Sequence, residues 1–135
     1  MTAVIDKVAE FHDAFGCEVG APISHRLMKL RVALIYEELK EFVEASNTIL
    51  THIEQGAGVQ PVPLGNLVKE LADLTYVVYG TAVALGIDLD GAIDAVHESN
   101  MSKLGEDGKP VRREDGKVLK GPNYQPPVQM ERFAW

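Results

Sequence analysis

The sequence has a single cysteine, Cys17, and no apolar run that approaches the ~18 residues of a membrane-spanning helix. One cysteine excludes an internal disulfide framework and any zinc site built from cysteines. The first residues lack the charged-then-apolar pattern of a signal peptide, so we expect a cytoplasmic protein without a membrane partner. With 135 residues, of which 46% are hydrophobic and 24% charged, the composition is typical of one folded domain.

Positive charge is scarce and unevenly distributed along the chain. Residues 1–100 carry 6 basic and 15 acidic side chains, a net charge of −9, whereas residues 101–135 carry 7 basic and 5 acidic, a net charge of +2. An acidic body argues against a nucleic-acid partner. It is compatible with a small polyphosphate, because divalent metal ions bridge carboxylates to phosphates. The basic C-terminal residues are then expected to contact the same phosphates.

Strand signals are few, and the spacing of apolar residues predicts four helices. Glycine is expected to end the first helix at Gly16 and the third at Gly86. Ser24 and Asp88 are the predicted N-caps of the second and fourth helices. The predicted helices cover Val4–Phe15, about His25–Glu54, about Leu64–Leu85, and Asp88 to near Lys103.

The sequence changes character after Leu104. Two Asp-Gly-Lys turn signals and several prolines predict an irregular tail, with a small hairpin around the second signal. We therefore predict an all-α fold, a four-helix bundle with an extended basic C-terminal tail. The whole chain, 1–135, is expected to form a single domain, with a helical body over residues 1–104 and the tail over residues 105–135.

Three glutamates of the second helix lie within or beside its apolar stripe. With about 100° per residue, Glu38 falls about 40° and Glu41 about 20° from the centre of the stripe at Leu34. Glu37 lies about 60° from the centre, at the edge of the stripe. Carboxylates on the side of a helix that faces the core are unusual, because burial disfavours their charged form.

The third helix repeats this arrangement with Glu70 and Asp73, which are three residues apart and able to converge on one point. No lysine or arginine of the two helices lies at an obvious pairing position, so we expect the carboxylates to be unpaired. Hard oxygen ligands suit Mg²⁺ or Mn²⁺. The pattern therefore predicts a metal site rather than two solvated helix faces, which is the alternative interpretation.

A di-iron carboxylate site is a second metal hypothesis. It requires a Glu-x-x-His motif on each of two helices. The nearest pattern is Asp94-x-x-His97, which occurs once, so the sequence disfavours a di-iron centre.

The carboxylates form a recognisable motif, Glu-Glu-x-x-Glu at 37–41 and, after 28 residues, Glu-x-x-Asp at 70–73. This motif resembles that of the MazG-like all-α nucleoside triphosphate pyrophosphohydrolases, a superfamily that includes phosphoribosyl-ATP pyrophosphohydrolases and dimeric dUTP diphosphatases. Segments 9–16 and 73–80 resemble the family's first helix and the helix that follows its second motif. Segments 96–103 and 115–121 resemble a C-terminal signature of MazG-like dUTP diphosphatases.

The resemblance implies roles for individual residues. Glu38, Glu41, Glu70 and Asp73 match the family's metal ligands. Glu37 matches a glutamate that assists a further metal ion or the attacking water, so these five residues are the expected catalytic and metal-binding set. The residues expected to bind substrate are Asn100, Lys103, Lys120 and Tyr124.

The resulting expectation is a Mg²⁺-dependent enzyme, with Mn²⁺ as an alternative ion, that cleaves a nucleoside triphosphate between its α- and β-phosphates. Expected substrates are dUTP or another (deoxy)nucleoside triphosphate, in a house-cleaning role. The alternatives are phosphoribosyl-ATP pyrophosphohydrolase of histidine biosynthesis and a non-catalytic helical interaction module. Relatives in the superfamily form dimers or dimers of dimers, so a homodimer is the minimum expected assembly.

Overall fold

The computed structural model describes residues 2–134 and contains four α-helices, which confirms the all-α class. None of the helices in this range has the length and apolar character needed to cross a membrane. The described chain divides after Gly86 into two compact units, which are taken separately below. The helices are α1 (Val4–Phe15), α2 (His25–Glu54), α3 (Pro61–Leu85) and α4 (Leu89–Met101).

The helix ends of the first unit follow from local hydrogen bonding. Ser24 caps α2, because its side-chain oxygen accepts a hydrogen bond of 3.1 Å from the backbone N–H of Leu27. Gly16 and Gly86 end α1 and α3 in the left-handed conformation, with φ of 68° and 69°. The predicted bounds of α1 and α2 are thereby confirmed.

Helix α3 begins three residues before the predicted start at Leu64. Prolines such as those at 61 and 63 are typical of a break between helices, but Pro61 occupies the first helical turn, where a missing N–H leaves no hydrogen bond unmade. The N–H of Leu64 already donates to the carbonyl of Gln60 at 3.1 Å. The fourth helix ends at Met101, slightly before the predicted end near Lys103.

In the first unit, α3 packs against both α1 and α2. Four of the six buried apolar residues of this unit belong to the last turn of α3, which also accepts backbone hydrogen bonds from the linker between α1 and α2. The N–H groups of Gly20 and Ala21 donate to the carbonyls of Val83 and Ala84 at 2.9 and 2.8 Å, which satisfies acceptors of the last helical turn. The buried apolar residues are Val8, Leu27, Ala82, Val83, Ala84 and Leu85.

In the second unit, a short 3₁₀ turn, Met130–Phe133, packs on α4. Asp88 caps α4 through the N–H of Gly91 at 3.0 Å, as predicted, and its own N–H donates to the carbonyl of Phe133 at 2.7 Å. Between these elements lies the predicted hairpin, formed by β1 (Val111–Arg112) and β2 (Val118–Leu119). The segment after Leu104 is therefore partly regular.

Candidate metal centre

Helices α2 and α3 bring three of the predicted carboxylates together. Side-chain oxygens of Glu38, Glu41 and Glu70 all lie within 4.8 Å of one another, and the three residues are half-buried. These residues are called the carboxylate cluster below. These carboxylates lie within or beside the apolar stripe of their helix, so they face the neighbouring helix.

Two oxygens of the cluster have no hydrogen-bond partner among the described residues. Glu38 Oε2 and Glu70 Oε2 are both buried and unsatisfied. A buried carboxylate oxygen without a donor is costly, and each such atom in a folded protein calls for an explanation. A bound cation would supply the missing interaction to both atoms at once.

Like charges oppose each other within the cluster. The nearby carboxylate of Glu38 is the largest influence on Glu41 and raises its pKa above the ordinary value. Desolvation and the carboxylate of Glu70 act in the same direction. A divalent cation reverses this effect, because it favours the ionised form of every ligand. Hard oxygen donors of this kind suit Mg²⁺ or Mn²⁺.

Asp73 lies one helical turn beyond Glu70 and has a cationic neighbour, which corrects the expectation that no lysine pairs with these residues. The ammonium of Lys69 contacts Asp73 Oδ2 at 2.7 Å and Glu70 Oε1 at 3.4 Å. The contact with Asp73 raises the pKa of Lys69 most, followed by that with Glu70. This pair was not predicted, although Lys69 and Asp73 are four residues apart on one helix and therefore lie on the same face.

Glu37 is exposed, in agreement with its predicted place at the edge of the stripe. It does not join the carboxylate cluster, and neither does Asp73. Whether these two residues complete the site when a metal ion is bound stays a prediction.

A cavity of about 520 Å³ opens beside the cluster. Glu41 and Glu70 form part of its wall, together with polar side chains that the sequence analysis did not single out. Asn66, for example, precedes Glu70 by four residues and therefore lies on the same side of α3. The remaining lining residues are Glu44, Ala45, Thr48, Pro63, Asn66 and Lys69.

The second unit brings two of the predicted substrate-binding lysines together. Lys103 and Lys120 line a cavity of about 380 Å³, which Lys117 of the hairpin also borders. The N–H of Gly121 donates to the carbonyl of Lys103 at 2.9 Å and so holds the segment that contains Lys120 next to Lys103. A side chain at position 121 would collide with the backbone of Lys103 and Leu104, so glycine is required here.

The other two predicted substrate-binding residues lie close by in the chain. The ammonium of Lys120 stands 4.7 Å from the centre of the Tyr124 ring, a cation–π contact. Asn100, near the end of α4, is exposed and does not line the cavity.

Comparison with known proteins gives one family. The model of the phosphoribosyl-ATP pyrophosphohydrolase family matches residues 8–100, a range that includes the entire carboxylate cluster. No curated protein matches the chain. Among solved structures, a candidate NTP pyrophosphohydrolase from Exiguobacterium sp. 255-15 is 25% identical, with 97% of this chain and 93% of that chain covered and a TM-score of 0.47.

Proposed function

Because the chain belongs to the phosphoribosyl-ATP pyrophosphohydrolase family, we propose that it hydrolyses a nucleoside triphosphate between the α- and β-phosphates. The products are a nucleoside monophosphate and pyrophosphate. The observation that carries the proposal is the convergence of Glu38, Glu41 and Glu70 with two buried, unpartnered oxygens. This donor set suits Mg²⁺, with Mn²⁺ able to replace it.

In this proposal, the carboxylate cluster holds the cation and Asp73 completes its ligands. When bound, such a cation neutralises charge on the phosphates and lowers the pKa of a coordinated water. Glu37, which is exposed at the edge of the same helix face, accepts the proton of the attacking water. Asn66 lines the adjacent cavity and is available to orient the substrate. Lys69 lines the same cavity, with its ammonium paired with Asp73 and Glu70.

We further propose that the basic cavity of the second unit, taken by itself, binds an anionic group such as a phosphate. None of its three lysines, Lys103, Lys117 and Lys120, belongs to an ion pair of the described residues. Unpaired ammonium groups at the wall of a cavity favour a polyanion. Tyr124 supports Lys120 through its ring. Asn100, which does not line this cavity, stays a predicted substrate-binding residue.

Two kinds of substrate are candidates. The C-terminal signature resembles that of dUTP diphosphatases and favours dUTP or another (deoxy)nucleoside triphosphate, in a house-cleaning role. Membership in the phosphoribosyl-ATP pyrophosphohydrolase family favours phosphoribosyl-ATP.

A substrate panel tests the proposal and decides between the candidates. We would measure pyrophosphate release in excess Mg²⁺ from dUTP, the common nucleoside and deoxynucleoside triphosphates, and phosphoribosyl-ATP. Glu70→Gln serves as the inactive control. If no compound yielded pyrophosphate above the Glu70→Gln rate, a non-catalytic interaction module would be the better account.

We further propose that the active protein is a homodimer or a dimer of dimers. Apolar side chains on α2 and α3 remain exposed in the single chain, among them Leu39 at 41%, Val68 at 62% and Leu71 at 51%. An apolar patch between α1 and α3 includes Val68, Leu71 and Tyr76. Burial of such faces against a second copy is favourable by about 25 cal/mol per Å².

A further inference from the structure

Arg31 is a buried arginine of α2 that has no carboxylate partner among the ion pairs of the described residues. Only 6% of its surface is exposed. Its guanidinium binds α3 instead, since Nη2 donates to the carbonyl of Val77 at 3.1 Å and Nε to the hydroxyl of Thr81 at 3.2 Å. One side chain thus joins two points of the neighbouring helix.

The space for this guanidinium comes from Gly80. A β-carbon at position 80 would overlap Arg31 Nη2 and would lie 3.1 Å from His12 Nε2. His12 is itself buried and held by the carbonyl of Glu18, 2.7 Å from its Nδ1. A glycine inside a helix lowers stability by roughly 1 kcal/mol relative to alanine, so its presence here is explained by the guanidinium that it admits.

The contribution of Arg31 to stability does not by itself explain why a charged side chain occupies this buried position. The charge of Glu18 acts on Arg31, but the ion pair that Glu18 forms among the described residues is with Arg26. Burial of a charge without an ion pair is unfavourable, and an apolar side chain of similar size is often as stable or more stable. The planar guanidinium, by contrast, fixes the direction of two hydrogen bonds at once. We therefore expect the main effect of Arg31 to be on the relative position of α2 and α3, and not on the free energy of unfolding.

The geometry that Arg31 fixes is the register of α2 against α3. Arg31 precedes Glu38 by seven residues, and Glu70 precedes Val77 by the same seven. Seven residues are two helical turns, about 10 Å, and return to nearly the same helix face. In an antiparallel pair, the alignment that places Arg31 on Val77 also places Glu38 on Glu70.

We propose that Arg31 is a positioning residue that sets this register and so determines the distances within the carboxylate cluster. The inference rests on the proposed function, because the cluster matters as a metal site. Arg31 touches neither the cluster nor the cavity beside it, and acts through the two helices.

The test is Arg31→Met, with Arg26→Met as the matched control. Arg26 lies on the same helix, but its side chain is 71% exposed and pairs with Glu18 at the surface. Mn²⁺ binding to the metal-free protein is measured by electron paramagnetic resonance. The free energy of unfolding is measured by urea titration without metal. Activity is measured as separate kcat and KM values.

We expect Arg31→Met to retain the unfolding free energy of the metal-free protein while its dissociation constant for Mn²⁺ rises roughly threefold to thirtyfold. The kcat of Arg31→Met should fall as its Mn²⁺ affinity falls. Arg26→Met should match the wild type in each measurement. Wild-type Mn²⁺ affinity in Arg31→Met would overturn the positioning role alone. Absence of Mn²⁺ binding by the wild type would overturn the proposed metal site and this inference together.

A second pair of variants covers the case in which Arg31→Met does not fold. Arg31→Lys keeps the charge but not the two directed hydrogen bonds, and is expected to weaken Mn²⁺ binding. Gly80→Ala should do the same by displacing the guanidinium, and its effect should shrink when Arg31 is already methionine. Wild-type affinity in both Arg31→Lys and Gly80→Ala would overturn the proposal.

Discussion

At the scale of single residues, the proposed metal site depends on Glu38 and Glu70, each of which has a buried oxygen without a partner among the described residues. Glu70→Gln removes one charge at nearly constant volume, so turnover should fall by at least roughly 10- to 100-fold, the loss typical of residues that merely support a metal ligand. Without metal, the same variant should melt at a higher temperature, because a like charge has been removed.

The control for Glu70→Gln is Glu44→Gln. Glu44 lines the same cavity but is exposed and lies outside the carboxylate cluster. It should keep the activity and the melting temperature of the wild type. Equal losses in the two variants would indicate that negative charge in the cavity, rather than a defined ligand set, is what matters.

Glu41 gives the metal-free protein a distinctive pH dependence. Its pKa is raised in the folded state, mainly by Glu38, so the folded protein binds a proton more tightly than the unfolded chain does. Its contribution to stability is therefore fully present below the ordinary pKa of 4.5 and is lost as the pH rises through the raised value. Urea titrations from pH 4 to 7, about the range around a glutamate pKa, should show this loss.

The comparison variant is Glu41→Gln, which has no carboxyl group at this position to titrate. Its unfolding free energy should vary less over the same pH range. Saturating Mg²⁺ should reverse the trend in the wild type, because the ion binds the deprotonated carboxylates. An identical pH dependence in wild type and variant, without metal, would contradict the crowding inferred for the cluster.

At the scale of helices and strands, the N-cap of α2 is the clearest local contribution to stability. Ser24→Ala removes the acceptor of the Leu27 N–H and should lower the unfolding free energy by about 1 kcal/mol. Ser46→Ala is the matched change inside the same helix, where the hydroxyl donates to the carbonyl of Phe42 and competes with helical geometry. It should be neutral or slightly stabilising in the same urea titration, and a loss equal to that of Ser24→Ala would argue against the cap.

The helices could be predicted well because their signals are local. Caps and glycines fixed α1 and α2, and the apolar stripe pointed Glu38 and Glu70 toward a neighbour. The start of α3 at Pro61 was missed, because a proline breaks a helix interior but suits a first turn.

The tertiary contacts of the site could not be derived from the sequence. The bond from Arg31 to Thr81 spans 50 residues, and no spacing rule reaches that far. The case of Lys69 is different. Its pairing with Asp73 is local, and the spacing of four residues on one helix was sufficient to predict it.

At the scale of the whole molecule, the exposed apolar faces of α2 and α3 predict self-association. Wild-type protein should sediment at two or four times the 14.8 kDa of one chain. Leu71→Asp places a charge within the exposed patch and should shift sedimentation toward the monomer. Val128→Asp, at an exposed apolar position of the second unit, is the control and should leave the assembly unchanged. A monomeric wild type would contradict the proposed assembly.

The central claim is that the carboxylate cluster supports cleavage between the α- and β-phosphates, and product identity tests it most directly. We would follow the reaction of the best substrate in the panel by ³¹P nuclear magnetic resonance, with Mg²⁺ and either wild-type protein or Glu70→Gln. We expect nucleoside monophosphate and pyrophosphate in equal amounts with the wild type, and neither product with the variant. Orthophosphate with a nucleoside diphosphate, or full turnover by Glu70→Gln, would contradict the central claim.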